Sequence, residues 1–232
     1  MNLIPQVVRR GMIQLIGPLA QVLVRLHVRP NTITTVGTLL VVASTLGFAF
    51  GRIHWAGCLL LVSGLFDMLD GRVARDGDAR TTFGAFYDST LDRVGESALF
   101  TGIAVYFLQG GVPRERVTVG VVLCCVGLAS SLIVSYTRAR AEGLGLECNV
   151  GIAQRAERIL LLGVPTMFLG AGNNGALLFW IVAVLAVATV ATVVQRVVHV
   201  ARKASGPGVV RPGRPRDTLP GHAAVLQSRK GH

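Results

Sequence analysis

The chain has 232 residues, of which 51% are hydrophobic and only 15% are charged. Its mean hydropathy of +0.57 excludes a disordered chain, and the scarcity of charge argues against an ordinary soluble domain. The net charge is +11, but no nucleic-acid-binding module or interleaved aromatic pattern accompanies it, so we expect no nucleic-acid partner. The cysteines lack metal-ligand spacing and lie mostly in apolar stretches, which predicts reduced thiols.

The chain begins with an amphipathic segment, residues 1–27, in which apolar residues alternate with Arg9 and Arg10. This pattern predicts a helix that lies along a membrane surface. A cleaved signal peptide is the competing interpretation, but no convincing small-residue cleavage site follows the apolar stretch. We therefore expect the segment to remain as an interfacial helix.

Stretches poor in charge then predict helices that cross a bilayer, because about 20 apolar residues span its hydrocarbon core. The last of them is broken by glycines at residues 170–175, which predicts two helices and a tight turn. We expect six spans within a membrane domain of residues 28–201, drawn from the stretches 30–51, 55–68, 83–108, 117–137 and 159–195. Residues 202–232 are rich in Gly, Pro and Arg, which predicts a disordered basic tail.

The distribution of basic residues predicts the orientation. An even number of spans places both termini on one side, and every Lys and Arg except Arg52, Arg114 and Arg116 then lies on that side. The side enriched in Lys and Arg is cytoplasmic. We expect a multi-pass protein of the cell membrane with both termini and its active site in the cytoplasm, and with a basic surface that attracts anionic membrane lipids.

Four aspartates flank the loop between the second and third predicted spans. Asp67 and Asp70 are three residues apart and Asp88 and Asp92 are four apart, so each pair shares one face of its helix. Four carboxylates can converge in a low-dielectric site only around a cation, and a hard divalent metal with oxygen ligands is the natural choice. Intramembrane acids are usually functional. The alternatives are a proton or ion pathway, or ordinary ion pairs with the nearby arginines Arg72, Arg75, Arg80 and Arg93.

Small residues beside these acids favour a phosphate ligand. Gly71 follows Asp70 directly, and Gly84 lies one helical turn before Asp88. Neither glycine has a side chain to block the close approach of a ligand. Arg75 supplies a fixed positive charge for a diphosphate.

Residues 67–92 match the pattern D-x2-D-G-x2-A-R-x8-G-x3-D-x3-D at every fixed position. On this motif the chain resembles the CDP-alcohol phosphotransferases, over roughly residues 1–201. The resemblance implies an all-α membrane protein with six spans, a homodimer, and a site for two Mg²⁺ ions, with Mn²⁺ as the possible substitute. It implies that the metal ligands are Asp67, Asp70, Asp88 and Asp92, and that Asp92 is also the general base. It implies that CDP-diacylglycerol is bound by Asn31, Thr32, Ile33, Thr34, Gly71, Arg75, Thr81 and Gly84.

The segments SYTRARAEGLG (residues 135–145) and QRAER (154–158) resemble one branch of that family, the actinobacterial phosphatidylinositol-phosphate synthases. The resemblance implies that Arg138, Arg155 and Arg196 bind the phosphate of inositol phosphate, and a phosphorylated acceptor requires such a fork of charges. The bias of basic residues toward the cytoplasm is the alternative explanation for each of them. The chain departs from the branch at Arg138, where lysine is expected, and at Gln154 and Ala156, where glutamate and proline are expected.

The expected reaction is a Mg²⁺-dependent transfer of the phosphatidyl group of CDP-diacylglycerol to a phosphorylated polyol, 1D-myo-inositol 3-phosphate, with release of CMP. Glycerol 3-phosphate would use a similar anion pocket, so a phosphatidylglycerophosphate synthase is the alternative within the family. A transporter or ion channel is the alternative from another class. It predicts no fixed glycine and arginine positions beside the acids and often shows repeated halves, whereas this sequence shows no internal repeat.

Overall fold

The computed structural model describes residues 6–152 and 154–204, with side chains from residue 16 onward. This part of the chain is helical and contains no strand. A π-type turn, Phe107–Gly111, follows the fourth helix, and a 3₁₀ turn, Asn173–Gly175, precedes the seventh. The helices are α1 (Gln6–Arg25), α2 (Pro30–Ala49), α3 (Ile53–Asp76), α4 (Thr82–Tyr106), α5 (Arg114–Gly143), α6 (Arg155–Leu169) and α7 (Ala176–Ala204).

Four of the described helices, α2, α3, α5 and α7, are long and apolar enough to cross a membrane. Helix α4 is long, but it carries several charged residues, among them Asp88, Asp92 and Glu96. Helix α6 has only 15 residues and is therefore about 22 Å long, shorter than the roughly 30 Å of a hydrocarbon core. Length and composition thus identify four candidate spans, where the sequence predicted six.

Local signals explain where the site-bearing helices begin. Pro30 occupies the first turn of α2, where its missing N–H costs nothing. The Thr81 hydroxyl caps α4 by accepting a hydrogen bond from the Gly84 N–H at 2.9 Å. Gln154 and Glu157 form a reciprocal capping box at the start of α6. At its other end α6 stops at Gly170, whose φ of 65° requires a glycine, so the predicted break is confirmed.

Two apolar clusters hold the helices together. In the larger one, α3 to α7 contribute fully buried side chains such as Leu60, Ile103, Leu162 and Val182. In this packing α2 lies against α3 and α4, α3 lies against α6, and α5 lies against α7. The smaller cluster joins α1 to the beginning of α2 and the end of α3 through Ile16, Ala20, Ile33, Leu69 and Val73. Helix α1 therefore lies beside the segment that carries the acidic motif.

The contact between α3 and α6 depends on Gly57. A Cβ at this position would lie 2.5 Å from both the Met167 backbone nitrogen and the Thr166 Oγ1. We expect Gly57→Ala to destabilise the protein by about 1–3 kcal/mol, because the helices must separate to admit the methyl group. Thermal unfolding in detergent measures this loss. Gly143→Ala is the matched control, since its Cβ would meet nothing within 4 Å, and equal melting temperatures for the two variants would contradict the prediction.

Candidate active site

Three of the four predicted acids converge between α3 and α4. One carboxylate oxygen each from Asp67, Asp70 and Asp88 lies within 4.8 Å of the other two. Asp70 is buried, with 6% of its surface exposed, and its Oδ2 accepts a 2.7 Å hydrogen bond from the Thr34 hydroxyl. Among the described residues, none forms a hydrogen bond with the buried Oδ1 of Asp88. A carboxylate that has a buried, unpartnered oxygen and converges with two further carboxylates fits a divalent cation.

Asp92 lies outside this group of three and is paired with arginines. Its Oδ1 contacts the Arg155 guanidinium directly, and its Oδ2 lies 3.2 Å from Arg93. The same guanidinium of Arg155 lies 3.6 Å from Asp67. Arg155 therefore lies between the fourth acid and the other three, and it supplies a positive charge to both.

A cavity of about 260 Å³ opens beside the acids. Helical periodicity explains which residues of α2 reach it: Asn31 and Thr34 share a face, whereas Thr32 is exposed and Ile33 is buried against α1. Arg80, which the sequence suggested only as an ion-pair partner, joins Arg75 in the wall of the cavity. Six of the eight predicted nucleotide-binding residues line it, together with two of the acids: Asn31, Thr34, Gly71, Arg75, Thr81, Gly84, Asp70 and Asp88.

Comparison with known proteins assigns the family. A family model described as CDP-alcohol phosphatidyltransferase matches residues 27–194, a range that contains the whole acidic motif. The chain belongs to this family. The enzyme prediction is thereby confirmed, and the alternative of a transporter or channel is set aside.

Relatives within the family share most of this phosphatidyltransferase's length. The phosphatidylinositol phosphate synthase of Cutibacterium acnes is 39% identical over 203 residues, which cover 84% of this chain and 96% of the relative. The fold is similar to the crystal structure of the Mycobacterium tuberculosis phosphatidylinositol phosphate synthase with CDP-DAG bound. The two sequences are 32% identical, the TM-score is 0.72, and the match covers 87% of this chain and 100% of that one. A structure of the same protein with manganese and citrate has a TM-score of 0.72 at 33% identity, and the match covers 86% and 93% of the two chains.

The arginines predicted to bind the acceptor lie in three different environments in this phosphatidyltransferase. Arg155 lies at the acids, as described above. Arg138 is exposed and lies 2.8 Å from Glu142, one turn away on α5. Arg196 is 5% exposed and donates hydrogen bonds to the carbonyl oxygens of Val150, at 2.9 Å, and Val134. A bias of basic residues toward one membrane face does not explain a buried arginine with carbonyl partners.

One pair of buried charges near the site was not singled out from the sequence. The Arg158 guanidinium contacts the Glu96 carboxylate, and their side chains are only 10% and 11% exposed. The sequence offered the spacing of these residues as an indication that they matter to the site, because Glu96 follows Asp92 by four residues and Arg158 follows Arg155 by three. Nothing local in the sequence indicates that these two residues contact each other.

Proposed function

We propose that this phosphatidyltransferase transfers the phosphatidyl group of CDP-diacylglycerol to 1D-myo-inositol 3-phosphate and releases CMP. The observation that carries the proposal is the juxtaposition of three parts: a polar cavity, a group of acids suited to a divalent cation, and a half-buried arginine at the edge of that group. The CDP-DAG complex of the Mycobacterium tuberculosis relative supports the choice of donor. The names of that relative and of the Cutibacterium acnes protein support the choice of acceptor.

The cavity is assigned to the cytidine diphosphate part of the donor. Arg75, with Arg80 beside it, supplies positive charge to the diphosphate. Asn31, Thr34 and Thr81 supply hydrogen-bonding side chains, and Gly71 and Gly84 leave room for the ligand. Thr32 and Ile33 stay predictions, since their side chains lie away from the cavity wall.

A methyl group at Gly84 tests this assignment. A Cβ there would lie 3.0 Å from the Thr81 Oγ1 and 3.2 Å from the Asn31 Oδ1, within the cavity wall. We expect Gly84→Ala to raise the KM for CDP-diacylglycerol by roughly five- to thirtyfold, equivalent to about 1–2 kcal/mol of crowding, while the KM for the acceptor stays unchanged. Ser89→Val, which adds bulk to an exposed position on the same helix, is the control. Equal donor KM values in both variants would rule out this use of the cavity.

The metal assignment follows from the acids. Asp67, Asp70, Asp88 and Asp92 are proposed to hold two divalent cations, Mg²⁺ or Mn²⁺. The converging oxygens of the first three and the unpartnered Asp88 Oδ1 support this. Bound cations of this kind neutralise charge on a transferring diphosphate.

The proton step is assigned to Asp92. Its carboxylate takes the proton from a hydroxyl of the acceptor, and the hydroxyl oxygen forms a bond to the phosphorus that carries the diacylglycerol. The bond from that phosphorus to the bridging oxygen breaks, and CMP leaves with the bonding electrons. Since Arg155 contacts Asp92 in the structure, the base is held beside the group assigned to the acceptor phosphate.

The acceptor phosphate is assigned to Arg138, Arg155 and Arg196. Arginine forks bind phosphate oxygens through pairs of N–H donors. Arg155 is the member of this set that lies at the acids, and its buried Nε has no hydrogen-bond partner among the described residues. That unused donor supports its assignment to the acceptor.

The membrane arrangement is also a proposal. We place α4 and α6 in the bilayer with the four candidate spans, which gives six, because their charges Glu96 and Arg158 pair with each other inside the protein. Helix α1 is placed at the cytoplasmic surface, since it exposes Leu19 and Val22 while Ile16 packs inward. Both termini are then cytoplasmic, and the protein is a homodimer in the cell membrane. Residues 202–204 of the predicted basic tail belong to α7, and the rest of that tail lies outside the described residues. Reporter fusions at each terminus and cross-linking in membranes test these points.

CMP release by the purified protein, with CDP-diacylglycerol and Mg²⁺, tests the proposed function. Inositol phosphate, glycerol 3-phosphate, free inositol and serine are supplied in parallel. We expect turnover with inositol phosphate and none with the unphosphorylated acceptors, because the arginines recognise a phosphate. Turnover with glycerol 3-phosphate alone would identify that compound as the acceptor in place of inositol phosphate and would leave the proposed mechanism unchanged. No turnover with any of the four, despite binding of CDP-diacylglycerol, would overturn the acceptor assignment.

A further inference from the structure

Helices α4 and α6 are joined by two ion pairs arranged as successive rungs. Asp92 contacts Arg155 in the first rung, and Glu96 contacts Arg158 in the second. Residues three or four apart share a helix face, so the two rungs lie one helical turn apart on both helices. The proposed reaction uses both members of the first rung but neither member of the second.

The second rung lies in apolar surroundings. Glu96, Arg155 and Arg158 line a small cavity of about 30 Å³ whose other walls are apolar side chains, including Leu60, Leu99, Phe100, Leu162 and Leu185, with Gly95. Buried ion pairs of this kind contribute little net stability, because the cost of desolvating both charges offsets their attraction, and apolar residues of similar volume often replace them without loss. Stability alone therefore does not account for this pair.

The surroundings of Arg155 indicate another role. Its guanidinium lies between Asp67 and Asp92, and its Nε is buried with no hydrogen-bond partner in the part of the chain that the structure describes. Within the same residues, the Oε2 of Glu96 is likewise buried and without a hydrogen-bond partner. Arg155 is the first residue of α6, so whatever fixes the rotation of α6 against α4 also fixes the point and direction in which the Arg155 side chain leaves the helix.

We propose that Glu96 and Arg158 are positioning residues for Arg155. Their contact sets the rotation and depth of α6 against α4, so that Arg155 is held at the acids and keeps one N–H for the acceptor phosphate. This inference rests on the proposed function, because it takes the acceptor to be phosphorylated. It assigns Glu96 and Arg158 an effect on the acceptor half of the site and none on the nucleotide cavity, which neither residue lines.

The decisive variant replaces the pair with apolar residues, Glu96→Leu with Arg158→Leu. We expect its melting temperature to remain close to that of the native protein, because no charge is left buried and unpaired. We expect the KM for inositol phosphate to rise on the order of tenfold or more, the effect of losing a hydrogen bond to a charged group, with the KM for CDP-diacylglycerol unchanged. The matched control is Ser130→Ala with Thr189→Val, which removes another buried polar pair, 2.6 Å apart, between α5 and α7 and should change neither KM.

An acceptor KM equal to the native value in the folded apolar variant would overturn the positioning role. If the apolar variant does not fold, Glu96→Gln with Arg158→Gln provides a neutral amide pair. The same two KM values are then measured on this variant and interpreted in the same way. If the native protein releases no CMP with any acceptor, the proposed function fails, and a crystal structure of the variant then decides the positioning role. An Arg155 guanidinium displaced from Asp67 and Asp92 would support it, and an unmoved one would overturn it.

Discussion

We expect Asp92→Asn to lower turnover by about 10²–10⁴-fold, the contribution that a positioned general base makes to a reaction. The amide has the shape of the carboxylate but cannot take a proton from the acceptor hydroxyl. Asp92 does not line the nucleotide cavity, so binding of CDP-diacylglycerol should remain close to the native value. A loss of turnover without a loss of CDP-diacylglycerol binding would distinguish the role of Asp92 from the role of the residues that bind the donor.

CMP release and binding of CDP-diacylglycerol, measured on the same preparation, check this expectation. Asp76→Asn is the matched control, because Asp76 is an exposed acid of α3 that lies 3.1 Å from Arg72, away from the converging carboxylates. It should keep native turnover, since exposed ion pairs contribute little. Unchanged turnover in Asp92→Asn would overturn the base assignment.

Asp88→Asn has the second large effect, on metal binding and on turnover together. Its Oδ1 is a buried carboxylate oxygen with no hydrogen-bond partner among the described residues, and the Asp88 carboxylate is one of the three that converge. An amide oxygen carries no net charge and is a weaker ligand for a hard cation. We expect Mn²⁺ affinity to fall by at least about tenfold, the loss that follows from removing roughly 1.4 kcal/mol of binding free energy, and CMP release to fall with it.

Asp88→Asn should not lower the stability of the metal-free protein, although it lowers metal affinity. Removing one of several like charges from a buried group relieves repulsion and desolvation, so the metal-free variant should melt at the native temperature or above it. Titration of Mn²⁺ followed by electron paramagnetic resonance measures the affinity. Asp78→Asn is the control, since this exposed acid lies in the turn after α3 at a φ of 49° that asparagine tolerates. Native Mn²⁺ affinity in Asp88→Asn would show that this acid is not a ligand.

The sequence was sufficient for the parts of the fold that follow from long uncharged stretches. Three of the predicted apolar stretches lie almost completely within helices. Stretch 30–51 lies in α2, stretch 117–137 lies in α5, and the second half of stretch 159–195 lies in α7. Helix α4 did not qualify as a candidate span because of its charged residues, and α6 did not because of its length. Hydropathy averages over all faces of a helix, whereas charged residues such as Glu96 and Arg158 are paired inside the protein.

The sequence by itself also predicted most of the residues that line the cavity proposed to bind the nucleotide. The motif spacing placed Gly71, Arg75 and Gly84 beside the acids, and the structure places all three in one cavity wall. The tertiary structure separated Asn31 and Thr34 from Thr32 and Ile33, because packing of α2 decides which of its faces reaches the cavity and which faces α1.

Only the tertiary structure decided the partners of the charged residues. Arg155 lies between Asp67 and Asp92, and Glu96 contacts Arg158 across 62 residues of sequence. These contacts depend on how α3, α4 and α6 are oriented against one another. Local spacing fixes which side chains share one face of a helix. It does not fix which face of a distant helix lies opposite, since that orientation is set by the packing of the whole bundle.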